Sequence, residues 1–404
     1  MSFDLRVLEA ISDVPAASWD GLFEHEPARA SPFLRHAFLD ACEQSGCGER
    51  AGFAPRHLTL WRAGRLVAAA PAYLKDGSEG DFSRDWEWAA AAQRARVRFY
   101  PKLALTVPFT PAAGRRFLVA GGVDRGAAVA ALVAGARALA EEERLGGVQV
   151  LFPLAEEAEA LAPLGLVPRL DFQYHWVNQG YRTPDDFLGR FSSKKRNQLR
   201  RERAAPGSAG ITIATLRGAE LAAEARAVAR DFEALHRETV DRMAWGMRWV
   251  DRSFFERLLR GMPDAVELVE ARRGGRRIAA AFNLASETHL YGRYWGCREE
   301  HPFLHFNVCL YHSVDECIRR GVRVFEGGAG GEHKLSRGFE PAETWSSHLY
   351  LDPRLDAAIR RHLEEELPAR RAALSRWQAD SPVLRRGGAP DRGSPGRATG
   401  GGAP

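Results

Sequence analysis

The sequence of 404 residues predicts an α/β protein with mixed sheets, in which one folding plan occurs twice. Residues 57–74 and 265–285 each contain two β-like runs around a glycine-centred turn, which is the pattern of a β-hairpin. Downstream of each hairpin come a helical stretch, a glycine stop and a short apolar strand, at residues 144–153 and 318–327. Because the order hairpin, helix, strand repeats, we expect two similar α/β domains.

Composition limits the class of protein. A hydrophobic content of 45% and a charged content of 27% are typical of a globular chain. The five cysteines are odd in number and form no Cys-x-x-Cys pair, so we expect no disulfide framework and a cytoplasmic location. The longest apolar run, residues 126–136, is too short to cross a bilayer, and the first residues lack a targeting pattern. The net charge of +5 is compatible with RNA, phosphorylated substrates or anionic cofactors.

The chain is expected to divide into five segments. These are an N-terminal domain (1–185), a basic connecting helix (186–206), a C-terminal domain (207–352), a helical segment (353–384) and a tail (385–404). The tail contains seven glycines and three prolines and is expected to be disordered. Apolar residues at helical spacing predict the helix before it, which Pro368 is expected to break or kink.

The connecting segment is strongly basic. Six of the ten residues from 194 to 203 are Lys or Arg, and Ser192 or Ser193 is suited to cap the helix that carries them. A charge run of this kind usually faces water. The alternative is contact with phosphates of a substrate or an RNA. The residues expected to make that contact are Lys194, Lys195, Arg196 and Arg200.

A glycine-rich motif, "FEGGAGGEHKLSRGF" at residues 325–339, follows the last apolar strand of the repeat. Its glycines allow positive φ and close approach of the backbone to a ligand, and such a loop can present N–H groups to an anion or an oxyanion. The alternative is a flexible loop or tight turn. Titratable residues directly after the glycines favour a binding or catalytic role, in which Gly328, Gly330 and Gly331 would contact the substrate.

Three stretches together resemble a known family. They are "RRIAAAFNLASETHLYGRYWG", "LHFNVCLYHSVDECIRRGVRVFEGGAGGEHKLSRGF" and "FLGRFSSKKRNQLRRE", and residues 98–119 are similar to the first half of one subgroup. The resemblance is to the FemAB-like N-acyltransferases, tandem members of the GNAT superfamily, and it covers about residues 15–350. It implies two tandem GNAT-like domains, a cleft between them and acyl transfer to an amine.

The resemblance leaves the acyl donor open. FemAB proteins proper take an aminoacyl group from aminoacyl-tRNA and pass it to a peptidoglycan precursor, whereas ordinary GNAT enzymes use acyl-CoA. The usual CoA loop has Arg or Gln before Gly-x-Gly/Ala at the start of a helix. The glycines at residues 327–331 come after the helix and strand instead. Acyl-CoA and aminoacyl-tRNA therefore both remain possible donors.

Candidate catalytic residues lie after the glycines. In the FemAB pattern a lysine follows this segment shortly before an aromatic residue, and Lys334 and Phe339 take those places with one residue more between them. Lys334, expected to be exposed, would hold an acceptor phosphate or the oxyanion; the alternative is a surface salt bridge. Glu332 or His333 would remove the amine proton, with Glu332 slightly favoured because it shares a side with Lys334 on an extended segment. Arg337 could complete a phosphate clamp.

Further substrate contacts are predicted upstream. Arg293 and Trp295 alternate on one face of a strand. His305 and Asn307 lie near the start of the next helix. His305, Cys309 and His312 share helical spacing, but no closed four-ligand pattern is present and no metal is expected. In the first half, Lys102 stands in a proline-interrupted stretch and is a possible acceptor contact, and Trp249 either stacks on a ligand or packs in the core.

The sequence thus predicts an N-acyltransferase that moves an acyl or aminoacyl group directly to an amine, possibly a cell-wall precursor. The competing interpretation is a non-catalytic GNAT-like module that recognises a peptidoglycan precursor or RNA, since a fold alone does not fix a function. Clustering of Glu332, His333, Lys334 and Arg293 around one pocket would favour the enzyme. The acceptor amine and the oligomeric state are not predicted.

Overall fold

The computed structural model describes residues 3–26, 31–244 and 246–379. Fifteen strands are present in this part of the chain. They are β1 Asp4–Leu8, β2 Phe53–Pro55, β3 His57–Arg62, β4 Arg65–Ala70, β5 Ala72–Lys75, β6 Lys102–Leu105, β7 Leu118–Val119, β8 Gly147–Leu151, β9 Val167–Val177, β10 Ile211–Arg217, β11 Val266–Arg273, β12 Arg276–Ala285, β13 His289–Cys297, β14 Val324–Glu326 and β15 Glu340–Tyr350.

The α-helices of the described residues alternate with these strands. They are α1 Ala16–Asp20, α2 His36–Gln44, α3 Cys47–Arg50, α4 Trp86–Arg94, α5 Arg125–Glu142, α6 Ala155–Leu161, α7 Pro184–Gly189, α8 Ser193–Ser208, α9 Ala219–Ala223, α10 Ala225–Asp241, α11 Arg252–Gly261, α12 Leu304–Phe306, α13 His312–Arg320 and α14 Pro353–Ala379. No helix in these ranges is long and apolar enough to cross a membrane.

The two predicted hairpins are present and equivalent. β3 and β4 pair antiparallel, as do β11 and β12. Each hairpin carries an outer antiparallel neighbour, β1 on β3 and β10 on β11. The later strands also correspond, because β6 pairs parallel with β8 and β13 pairs parallel with β14. The predicted α/β class with two similar halves is therefore confirmed.

The halves differ where Pro71 interrupts the second strand of the first hairpin. Before this proline, β4 belongs to a four-stranded sheet of order β1-β3-β4-β7. After it, β5 joins an eleven-stranded sheet of order β10-β11-β12-β13-β14-β9-β15-β8-β6-β5-β2. A proline has no N–H to donate to a ladder, so it is suited to the point where one strand passes from one sheet to another.

The centre of the large sheet is an exchange of strands between the halves. β9, from the first half, lies between β14 and β15 of the second half. β15 in turn lies between β9 and β8. The sheet is therefore continuous across the connecting segment, and the domain boundaries drawn along the chain stay a prediction.

The parallel strands β13 and β14 separate where a cleft opens. They pair only as far as Tyr291 and Glu326, after which β13 continues to Cys297 beside β12 and without β14. Its register against β12 shifts by one residue, because Phe282 faces Tyr294 whereas Asn283 faces Gly292. This leaves Arg293 as the extra residue of a β-bulge, a feature that redirects side chains at the rim of a sheet.

Helix α10 closes one side of this cleft. Its buried face includes Val228, Phe232 and Leu235 and packs against β13. The approach is close at Gly296, where a Cβ would stand 2.4 Å from the backbone nitrogen of His236. Any larger residue at this position would force the helix and strand apart.

The structure confirms two predicted helix features and corrects a third. Ser192 caps α8, since its hydroxyl accepts a hydrogen bond from the Lys195 N–H. The predicted C-terminal helix is α14, which packs on β9 and β15. It continues through Pro368, so the expected break is absent; its side-chain contacts with the sheet span both sides of the proline. The tail 385–404 lies outside the described residues.

We expect the two halves to unfold together, because neither keeps a complete sheet when β9 and β15 leave their neighbours. Hydrogen exchange measured by mass spectrometry should give peptides from β8 and β14 the same free energy of opening. The edge strand β1 should exchange faster and serves as the control. Two separate denaturation transitions, one for each half, would contradict this expectation.

Candidate active site

A cleft of about 430 Å³ lies between the halves, at the point where β13 and β14 diverge. The first half contributes Phe82, Phe109 and Pro111. The second half contributes α10, the segment that follows it, β12 and β13, and the start of the glycine loop. Four predicted site residues line this cleft, namely Arg293, Trp295, His305 and Gly328.

Three residues that line the cleft carry hydrogen-bond donors without partners in the described part of the chain. Three buried nitrogens, Asn283 Nδ2, Arg293 Nε and Trp249 Nε1, find no acceptor among the described residues. Another nitrogen of Arg293 donates to the Phe109 carbonyl of the first half, which fixes the guanidinium. Because buried polar groups are normally paired, three free donors in one cleft indicate a ligand with carbonyl, anionic or hydroxyl oxygens.

Glu326 is the residue that the sequence reasoning missed. It ends β14, is 5% exposed, and its Oε2 has no partner among the described residues. Burial raises the pKa of its carboxyl to about 8, and the Ala113 backbone and the cations Arg293 and Arg116 only partly oppose this. A detectable signal was present in the sequence: a single carboxylate that ends an apolar strand immediately before the glycines.

His175 stands opposite Glu326 on the exchanged strand β9. Its Nε2 lies 3.8 Å from the carboxylate Oε2. Burial, with the nearby His289 and Lys334, lowers the pKa of His175 to about 4, so the imidazole is neutral at pH 7. The contact is therefore not an ion pair, and Glu326 keeps a proton-accepting oxygen free of any cationic partner at hydrogen-bond distance.

Lys334 fixes the glycine loop from behind. Its Nζ donates to the carbonyls of Gly328 at 2.7 Å and Gly330 at 2.8 Å. The side chain is buried, contrary to the expected exposure, and burial lowers the pKa of its ammonium to about 8. Gly328 has a φ of +80° and stands close to the Gly292 carbonyl, so this loop conformation favours glycine.

Glu332 and His333 occupy a short 3₁₀ helix, Glu332–Arg337, and not the expected extended segment. Both side chains are exposed, and neither lines the cleft. The ring of His333 lies 5.4 Å from that of Phe306. The expected cluster of these two residues with Lys334 and Arg293 around one pocket is therefore absent, and their catalytic role stays a prediction.

Arg337 is buried in an ion pair behind the cleft. It donates to Glu202 Oε2 at 3.0 Å and to the Tyr311 hydroxyl at 2.8 Å, and Tyr311 also donates to Glu202. Asn307 also contacts α8, the helix that carries Glu202, because its side-chain amide donates to the Glu202 backbone carbonyl at 2.9 Å. Arg337 and Asn307 thus connect α8 to the helix after β13, and neither lines the cleft.

The helix after β13 does not present one continuous face. A π-helical turn, Asn307–Tyr311, separates α12 from α13. His305 and Cys309 line the cleft, whereas His312 bonds the Thr215 hydroxyl at 2.9 Å elsewhere. The expected alignment of the three residues is wrong because the wider turn changes the phase of the helix. Among the described residues, no group of three or more His, Cys, Asp or Glu could hold a metal ion.

The other predicted contacts lie away from the cleft. Lys102 is buried on β6, where it forms an ion pair with Asp85 and donates to Gln149 at 3.0 Å. Arg200 pairs with Asp185 on the surface. Lys194 is exposed, while Lys195 and Arg196 are half-buried. Their predicted contact with phosphates is not tested by the geometry. Gly330 and Gly331 also lie outside the cleft lining.

The loop between β13 and α12 differs from a pyrophosphate-binding loop. It contains no glycine, and it carries the carboxylates Glu299 and Glu300. Glu299 lies 3.5 Å from Arg273, and Glu300 lies 3.8 Å from Arg242. Each carboxylate is thus paired with an arginine, and both predicted acyl donors stay predictions.

Comparison with known proteins agrees with the fold and places the chain in a family. A family model for peptidoglycan biosynthesis/recognition proteins matches residues 10–385. The chain belongs to the FemAB-like family. No match was found among curated proteins.

Solved structures of this fold share little sequence with the FemAB-like chain. FemX is 12% identical, with a TM-score of 0.53 over 86% of this chain and 98% of its own. The C-terminal DUF2156 domain of an Agrobacterium fabrum protein is 9% identical, with a TM-score of 0.52 over 85% and 95%. A tandem GNAT protein from the clavulanic acid biosynthesis pathway is 15% identical, with a TM-score of 0.42 over 87% and 99%. The matches to FemX and to the DUF2156 domain show that the chain shares their fold.

Removing the Arg337 side chain should mainly affect stability. Arg337→Met leaves the Glu202 carboxylate buried without its cation, at a cost of about 3–5 kcal/mol in the free energy of unfolding. Chemical denaturation measures this change. The double variant Arg337→Met, Glu202→Leu should recover part of the loss, because the buried charge is gone. Arg354→Met, in an exposed pair with Asp352, is the control and should leave the midpoint unchanged.

If Arg337→Met folds as stably as the wild-type protein but loses ligand binding, Arg337 contacts substrate and the structural assignment is wrong.

Proposed function

We propose that this FemAB-like protein is an acyltransferase that moves an acyl group to an amine in the cleft between its halves, with Glu326 as the general base. The observation that carries the proposal is the buried Glu326 carboxyl, whose pKa is raised to about 8 beside a cleft that holds unpaired N–H donors. A base of this pKa is matched to the removal of a proton from an alkylammonium group near neutral pH.

The reaction balances with the groups present. The Glu326 carboxylate takes one proton from the acceptor ammonium, and the free amine nitrogen attacks the acyl carbonyl carbon. The carbonyl oxygen becomes an oxyanion that receives hydrogen bonds from the unpaired donors of Asn283 and Arg293. The bond to the leaving thiol or ribose hydroxyl then breaks. Of the two protons that the ammonium loses, one goes to the leaving group and the other is released to solvent, which restores the Glu326 carboxylate.

Transfer is direct, without a covalent enzyme intermediate. Cys309 is the cysteine that lines the cleft, and burial raises the pKa of its thiol well above the ordinary range. A protonated thiol is a poor nucleophile. Lys334 acts through the loop: by holding the carbonyls of Gly328 and Gly330 it orients the backbone beside the reacting carbonyl, and its ammonium adds positive potential for the oxyanion.

Family membership supports a peptidoglycan precursor as the acceptor of the acyl group. The donor is acyl-CoA or aminoacyl-tRNA. Exposed basic residues of α8, Lys194 among them, offer contacts for the phosphates of either donor. Mass spectrometry of reactions that combine peptidoglycan precursors with either donor identifies the product. A protein that binds precursors and yields no product with either donor is the binding module of the alternative interpretation.

Glu326→Gln should lower the rate of transfer by about 10²–10⁴-fold, the usual contribution of a general base. The wild-type rate should rise as the Glu326 carboxyl ionises with a pKa of about 8, and it should fall again as the Lys334 ammonium, whose pKa is also about 8, loses its proton. Single-turnover transfer measured from pH 6 to pH 9 checks both expectations. Glu332→Gln is the matched control: it removes an exposed carboxylate near the same loop and should keep the activity and its pH profile.

Glu326→Gln should lower the activity but raise the stability of the folded protein at high pH. Because the folded-state pKa lies above the ordinary value of 4.5, folding binds a proton and the free energy of unfolding falls as pH rises from about 4.5 to about 8. Glu326→Gln lacks this loss, so its melting temperature at pH 8 should exceed that of the wild-type protein. A Glu326→Gln protein that is folded and fully active would refute the base assignment.

Lys334→Ala should lower turnover by about 10²-fold, the scale of one lost transition-state donor. Since the ammonium is buried and donates two hydrogen bonds, this variant should also lose about 1–3 kcal/mol of stability. Single-turnover rates are compared with circular dichroism at a temperature where the variant is folded. His333→Gln, an exposed neighbour, is the control. If a folded Lys334→Ala protein turned over as fast as the wild-type protein, the contact of Lys334 with the glycine loop would have no role in catalysis.

A further inference from the structure

The outer walls of the cleft are apolar. Phe109 and Trp249 stack across the junction of the two halves with ring centroids 6.1 Å apart, and Phe82 meets the edge of Trp249 at 5.9 Å. Met243 and Met247 complete this wall and are 58% and 53% exposed. Flexible, exposed methionines beside stacked aromatic rings are suited to a mobile hydrocarbon ligand.

The charges of the cleft also favour an uncharged hydrocarbon ligand. Among the described lining residues there is no Asp or Glu, and the fixed charge is that of Arg293. Glu326, which directly precedes the glycine loop, is not among the lining residues and serves the acceptor amine in the proposed function. An α-ammonium on the acyl group would therefore meet a cation and apolar walls without a carboxylate to pair with, which is costly for a desolvated charge.

The volume of the cleft limits the length of the acyl chain that can enter it. At about 30 Å³ for a group the size of a water molecule, a cleft of about 430 Å³ holds roughly fourteen such groups. Some of this volume belongs to the acceptor amine and the reacting carbonyl. A hydrocarbon chain of about six to ten carbons fills the remainder.

We propose that the acyl group transferred is an uncharged hydrocarbon chain of this length, and not an α-aminoacyl group. Its chain lies between Met243, Met247 and the rings of Phe82, Phe109 and Trp249, and its carbonyl oxygen faces the Asn283 amide. This inference rests on the proposed function and names the substrate class of the same site.

Primary amides test the site without chemistry, because they carry the carbonyl and lack a leaving group. Calorimetric titration of the full chain should show affinity rising from butanamide to hexanamide to octanamide, by about fourfold for each methylene buried. The ligand 7-aminoheptanamide matches octanamide in length and ends in a cation, so it should bind at least about tenfold more weakly. Glycinamide, which carries the α-ammonium of an aminoacyl group, should not bind measurably.

Variants assign the binding to this wall. Met247→Glu should lower the affinity for octanamide by about tenfold and raise the affinity for 7-aminoheptanamide, because it places a carboxylate in the apolar wall. Trp86→Glu removes another exposed apolar side chain, one that does not line the cleft, and should leave both affinities unchanged. Binding should change tryptophan fluorescence less in Trp249→Phe than in the wild-type protein, in which Trp249 and Trp295 both line the cleft.

The result that overturns the proposal is binding of glycinamide or 7-aminoheptanamide as tight as that of octanamide, or octanamide affinity that Met247→Glu does not change. Failure of the proposed function looks different. Glu326→Gln should still bind octanamide, because the amide probes need no base. If that variant also kept its transfer activity, Glu326 would not be the base, and the assignment of a hydrocarbon acyl chain to the cleft would be unaffected.

Discussion

The pairing of β9 with β15 is the interaction on which the rest of the molecule depends. These two strands face each other from His175 opposite Glu340 to Val167 opposite His348, and each also pairs with a strand of the other half. A single hydrogen-bonded sheet therefore holds the halves in one relative position. The cleft needs that rigidity, because its walls come from both halves and its donors are spaced by the register of β12 and β13.

The same exchange makes the two halves comparable and shows how they differ. Glu326 on β14 faces His175, and in the first half Gln149 on β8 faces His348. The glutamine accepts a hydrogen bond from Lys102, whose charge is neutralised by Asp85. Only the second half thus leaves a carboxylate oxygen unpaired at this position. At equivalent positions the first half thus carries a glutamine that accepts from Lys102, and the second half carries a titratable carboxylate.

Burial perturbs the charged groups in and beside the cleft. Desolvation lowers the pKa of Lys334 and of Arg293 and raises that of Glu326. Each of these shifts lowers stability in the charged state, because water is lost and no full ion pair replaces it. The neighbouring Arg337, by contrast, is fully paired with Glu202 and Tyr311. Groups that are left incompletely satisfied are those expected to interact with a ligand, while the satisfied pair holds the surrounding helices.

Sequence by itself determined the local elements and their order. The period of apolar residues and the glycine turns identified both hairpins, Ser192 or Ser193 was expected to cap α8, and the glycine-rich motif predicted a site at the end of β14. Arg293, Trp295 and His305 also reach the cleft as expected. These features depend on neighbours in the chain, so a linear pattern contains them.

Tertiary structure decided the rest. Whether Lys334 is exposed, whether Glu326 keeps a free oxygen and which face His312 occupies depend on segments far away in sequence: the exchanged β9, the first-half residues around Ala113, and a π-helical turn set by packing. Strand exchange leaves no local signal, because each strand would look the same whichever neighbour it pairs with. The protonation of a buried group likewise follows from what surrounds it in space, which the order of residues along the chain does not state.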